Sequence, residues 1–87
     1  MSKPFTKTEG NAIKRILGNG YGKQIQEYLS EQGILNSKDS PHSIEYIYQI
    51  VNGQKSSESI QEAVLNLIEA RNLQLKAAEE KRKRLLQ

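Results

Sequence analysis

Asp39, His42 and Ser43 are the three residue types of a hydrolytic relay. A relay needs an acid, a base and a nucleophile that converge from separate parts of a fold. These three lie within five residues of one polar stretch, where that convergence does not form. His42 is the single histidine, cysteine is absent and no carboxylate cluster surrounds His42, so neither a metal site nor a thiol nucleophile is expected. Gly18–Gly22, GNGYG, places three glycines in five residues. A phosphate-cradling nucleotide loop needs a preceding strand and fixed glycine spacing, and neither is present. The stretch reads as a helix–helix turn, whose following helix start offers free N–H groups to one phosphate. The chain is therefore read as non-enzymatic, with no catalytic residue, cofactor, metal or small-molecule substrate.

What remains is binding chemistry, and it concentrates in Ser43–Gly53, SIEYIYQIVNG. Ser43 is suited to cap a helix, and Gly53 to end it in the left-handed conformation. Ile47, Ile50 and Val51 recur at helical spacing and face a core. Glu45, Tyr46, Tyr48, Gln49 and Asn52 remain for the other side, which is polar without being simply charged. Tyr46 and Tyr48 flank Ile47, so they cannot both face inward. Either they serve a binding surface, or one packs against the glycine turn or the preceding loop.

The elements that must position this stretch are helical. Residues 1–6 read as a loose arm. A first helix spans about Thr8–Leu17, or begins at Asn11 because Gly10 weakens its start. A second spans about Lys23–Gln32, with Ile25, Tyr28 and Leu29 inward and Gly33 as its stop. Ile34–His42 is a connection rich in turn residues. A third helix covers Ser43–Asn52. A fourth, capped by Ser56 or Ser57, carries Ile60, Ala63, Val64, Leu67 and Ile68 at a firm period of 3.6. Helix propensity continues through the charged run EEKRKR, so this helix extends past residue 80 as a solvated rod. No strand alternation appears. The expected fold is all-α, a small bundle of four to five helices with an extended C-terminal helix. Its divisions are an arm over 1–10, a domain over 11–70 and a charged helix or tail over 71–87.

Composition sets bounds on the partner. The chain has 87 residues, room for one small domain. It carries a net charge of +3 and a pI of about 9.3. The charge is uneven: Glu58, Glu62 and Glu69 make 56–70 acidic, while Arg71, Lys76 and Lys81–Arg84 outweigh Glu79 and Glu80. Basic ends favour a polyanion, although a run such as Lys81–Arg84 also suits a solvated helix C-terminus. No run approaches the roughly 18 apolar residues of a membrane span, and the N-terminus lacks a secretion signal's apolar centre. The protein is expected in the cytoplasm, away from membranes.

Four stretches together resemble the phage-repressor-like helix-turn-helix group, the Cro/XRE type. They are IKRIL in the first helix, KQIQEYLSEQG in the second, HSIEYIYQIVNGQK as the recognition segment and SIQEAVLNLI as the closing helix. The most specific part is Ser43, Ile47, Ile50, Asn52 and Gly53 in that spacing. The likeness covers roughly residues 11–70. Two features depart from it. The family joins its motif helices by a turn of about four residues, whereas nine residues, Ile34–His42, separate Gly33 from Ser43. Glu45 also stands where a base-facing residue belongs, and a carboxylate is favourable there only by accepting from cytosine N4.

The resemblance implies sequence-specific binding of double-stranded DNA by a small phage or mobile-element-type transcriptional regulator. Its third helix would read the major groove. Ile44, Glu45, Tyr48 and Gln49 match base-reading positions. Gln49 would pair with adenine, and Ile44 would touch a thymine methyl. Tyr21, Lys23, Ser43, Asn52 and Lys55 match positions against the DNA backbone or beside the reading residues, and the longer loop would add a backbone contact of its own through Lys38. A homodimer through the C-terminal helix would present two reading helices about 34 Å apart. The competing expectation is a non-enzymatic adaptor or assembly protein that uses the same surface for protein contacts, with Tyr46 and Tyr48 as anchors. Lysines around the third helix would favour DNA; Glu27, Glu31 and Glu45 around it would favour the adaptor.

Overall fold

A computed structural model describes residues 3–86 of the chain as four helices without strands: α1 (Lys7–Leu17), α2 (Tyr21–Glu31), α3 (Ile44–Val51) and α4 (Glu58–Leu86). The fold is all-α. None of its helices is long and apolar enough to cross a membrane.

The helix starts follow local chemistry. Thr6 caps α1: its hydroxyl accepts from Glu9 N–H at 3.1 Å, while the Glu9 carboxylate accepts from Thr6 N–H at 2.9 Å. This reciprocal pair satisfies two otherwise free donors, so α1 begins at Lys7 rather than at Thr8 or Asn11. α2 begins at Tyr21, two residues earlier than the sequence implies, because Gly20 adopts the left-handed conformation (φ 76°) that turns the chain directly into the helix. α3 matches its expected bounds closely. Ser43 caps it by accepting from Tyr46 N–H at 3.1 Å, and the helix ends at Asn52 before a left-handed Gly53. Ser57 precedes α4, and its N–H donates to the Gln61 side chain at 2.9 Å.

One core joins all four helices. Ile25, Leu29, Ile47, Ile50, Val51, Ile60 and Val64 are almost fully enclosed, with Ile13, Leu17 and Ala63 around them. Phe5 is also in this core, at 6 % exposure. Within the expected loose arm, residues 3–6 are therefore docked. The buried Gln61 pins them by donating to the Lys3 carbonyl at 2.6 Å. Burying an aromatic side chain such as Phe5 contributes about 1.5–3 kcal/mol, enough to hold a short arm in place.

The connection before α3 closes on itself. The Asn36 side chain accepts from Lys38 N–H and Ser40 N–H at 2.8 and 3.0 Å, and Asn36 N–H donates to the Ser40 carbonyl at 2.9 Å. Asp39 completes the turn in the left-handed region (φ 57°). Gln26 of α2 then donates to the His42 carbonyl at 2.9 Å and fixes the loop's exit. The extra residues therefore form a self-contained excursion, and α2 still packs against α3.

α4 has two regimes. Its first half closes the core, and Arg71 adds a 2.9 Å bond to the Gln24 side chain. Beyond Arg71 every described side chain is exposed, including Leu73, Leu75, Leu85 and Leu86. The helix runs through the sequence boundary at residue 70 without interruption. It accounts for much of the molecule's 51 Å longest dimension.

Candidate nucleic-acid interface

α3 sits against α2 at one close approach. Gly22 is buried, and a Cβ built on it would lie 2.5 Å from Tyr48 Cε1 and 3.0 Å from Ile44 Cγ2. A side chain here would have to push the Tyr48 ring and the Ile44 methyl aside, so glycine permits this close approach. Ile44 is consequently half-buried, and the Tyr48 ring lies 5.1 Å from that of Tyr21 at a tilt of 49°. Tyr48 keeps 40 % of its surface exposed, so it is both a packing residue and an edge of the outer face. Burial, and then the neighbouring Tyr48 hydroxyl, push the Tyr21 pKa above its ordinary value of 10.0.

With Ile47, Ile50 and Val51 inward, the 3.6-residue period turns Glu45, Gln49 and Asn52 outward beside Tyr48. Glu45 and Asn52 are exposed and Gln49 is half-buried. Tyr46 takes the opposite flank. Its ring stacks on His42 at 5.4 Å, and the Lys55 ammonium stands 5.5 Å from its centroid. Of the two packing alternatives for the tyrosines, both are realised: Tyr48 meets the glycine turn and Tyr46 meets the loop. The relay-type residues have structural tasks as well. Ser43 is a cap, His42 is a stacking platform and Asp39 is a turn.

The structure gathers Ile44, Glu45, Tyr48, Gln49 and Asn52 on one helix, with Ser43 at its start and Lys55 beyond its end. Lys23 is exposed at the start of α2, near the N–H groups of Tyr21 and Gly22. No side chain caps that helix end. Lys38 lies at the loop turn and is exposed. Glu27 and Glu31 line a shallow groove with Gln26, Ser30 and Pro41.

A second basic group is absent from the sequence expectations. Lys14 of α1 donates to Asn52 Oδ1 at 2.6 Å, and Lys7 and Asn11 share its edge of α1. Their i, i+4, i+7 spacing was the available signal, because it defines one helical edge beside the Ile13–Leu17 stripe. What it would face depended on a contact across 38 residues of chain.

Comparison with protein-family models, with curated proteins and with solved structures finds no match to this chain.

Proposed function

We propose that the protein binds double-stranded DNA in a sequence-dependent manner, as a small regulator of the repressor-like helix-turn-helix type, with α3 in the major groove. The observation that carries this reading is the docking of α3 on α2 at Gly22. It leaves one short helix with a polar face of Glu45, Tyr48, Gln49 and Asn52, with Lys14 beside Asn52 and Lys55 on the Tyr46 flank. Such a face can offer an amide to a base edge, while cations beside it take the backbone. The nine-residue connection is compatible with this role because it closes on Asn36 rather than prising α2 from α3.

Ile44 and Tyr48 then set the height of the reading helix, and Gln49 and Glu45 make the base contacts. The uncapped start of α2, with Lys23, suits a phosphate. The exposed second half of α4 is the candidate pairing element of a homodimer on a palindromic site. The regulator would work in the cytoplasm.

The adaptor reading draws on Glu45, the long loop, the modest charge, the extended last helix and the two tyrosines as anchors. Tyr46 is already engaged with His42 and Lys55, which weighs towards DNA, while the exposed edge of Tyr48 serves either reading. Selection from random duplex DNA, followed by gel shift, tests the proposal. Enrichment of a short motif is expected; no retention of any duplex at low salt overturns it.

A further inference from the structure

The cleft between α1 and the end of α3 has a volume of about 380 Å³ and is lined by Lys7, Gly10, Asn11, Lys14, Val51, Asn52 and Gln54. Its lining contains two lysines and three side-chain amides but no carboxylate. Lysine only donates, so the Lys14 bond occupies Asn52 Oδ1 and leaves the Asn52 NH2 group available as a donor. The floor is set by Gly10. A Cβ there would lie 2.5 Å from the Val51 carbonyl oxygen, so glycine lets α1 come close enough to share a cleft with α3.

We infer that this cleft is an anion site that holds a backbone phosphate of the DNA duplex, clamped by Lys7, Asn11 and Lys14 from α1 and by Asn52 from α3. The inference rests on the DNA-binding reading and adds to it a grip by α1. Asn52 belongs to both the cleft and the outward face of α3, so a strand read by that face continues towards the two lysines. A compact site with several donors and no opposing carboxylate suits a singly charged phosphodiester.

The test is the salt dependence of duplex affinity. Each neutralised phosphate contributes a slope of about 0.9 in log affinity against log salt. Lys7→Gln combined with Lys14→Gln should lower the slope by about 1, the contribution of one phosphate. Lys76→Gln combined with Lys83→Gln removes the same charge from α4 and should leave the slope nearer that of the wild type. Asn11→Asp sets a carboxylate between Lys7 and Lys14 in the cleft, and should weaken all duplexes alike while the circular dichroism melt is retained. A wild-type slope in both the α1 double variant and Asn11→Asp overturns the inference and leaves the DNA reading standing. Loss of slope equal to that of the α4 control also overturns it, because general charge would then be the cause. Failure of the wild type to bind any duplex overturns the DNA reading and this inference together. Titration with inorganic phosphate, followed by NMR of the Asn11 and Asn52 side-chain amides, separates a free anion from a diester. Shifts with phosphate, combined with an unchanged DNA slope in the α1 variants, would assign the cleft to a free anion and overturn the backbone contact.

Discussion

Gln49 and Lys55 lie six residues apart and have different tasks in the proposed complex. Gln49 projects an amide from the outward side of α3, where a bidentate contact to adenine discriminates one base from another. Lys55 lies past the helix end, its ammonium over Tyr46, where it serves any phosphate. Gln49→Ala should therefore cost about 1–3 kcal/mol on the selected site and little on unrelated duplexes. Lys55→Ala should weaken every duplex about equally. Fluorescence anisotropy on matched and scrambled duplexes separates the two, and equal losses from both variants on both duplexes would remove Gln49 from base reading. Tyr21 allows a prediction independent of DNA. Its phenol is raised above 10.0 by burial and by Tyr48, and ionising it in the folded state is disfavoured. The associated stability is complete below the unfolded value of about 10 and is lost as pH rises through the higher folded value. Denaturant melts should show a steeper alkaline loss in the wild type than in Tyr21→Phe, and ultraviolet titration of the wild type should contain a late-ionising component that Tyr21→Phe lacks.

The way the elements meet separates what the chain reveals locally from what it hides. α3 is legible because its signals are its own: Ser43 caps, Ile47, Ile50 and Val51 form the stripe, and Gly53 stops it. Loop closure at Asn36 is also local, since short polar side chains bond to backbone a few residues on. Gly10 reads in sequence as a weak point in α1, and Phe5 as part of an arm. Both have partners more than 40 residues away: Gly10 has the Val51 carbonyl, and Phe5 has Gly53, which closely approaches the Phe5 carbonyl. Propensity and period carry no information about such contacts. The same limit hid Lys7 and Lys14, whose significance comes from facing Asn52. Gly10→Ala measures the point. In an exposed helix interior, alanine is better than glycine by about 0.5–1 kcal/mol. Here the added Cβ meets backbone that cannot rotate away, and overpacking of that kind costs about 1–3 kcal/mol. The second term wins, so Gly10→Ala should lower the denaturation midpoint; an unchanged or higher midpoint would show that α1 and α3 do not approach this closely.

At the scale of the molecule, α4 is half core and half rod. Its first part buries Ile60, Ala63 and Val64, whereas the described residues after Arg71 are all exposed. An isolated helix as short as the segment 72–86 is marginal in water, so its helicity here depends on continuation from the docked half or on a partner. Leu75, Ala78 and Leu85 recur on the azimuth of Ile60 and Val64, interrupted there by Gln74 and Arg82, so a broken apolar stripe continues beyond the body of the domain. This is the geometry a second copy would cover. Ending the chain after Asn72 removes this stripe but none of the core. Its monomer should therefore melt within about 0.5 kcal/mol of the intact monomer, as expected for removing surface residues that touch nothing. Sedimentation should find pairs of the full chain at high concentration and single chains of the shortened one. The shortened chain should still bind a half-site but lose the advantage of a palindrome, because two weak contacts on one duplex reinforce each other only when they are linked. A shortened chain that remained paired would move the dimer contact to the domain body. One that unfolded would make the distal rod part of the fold's own stability.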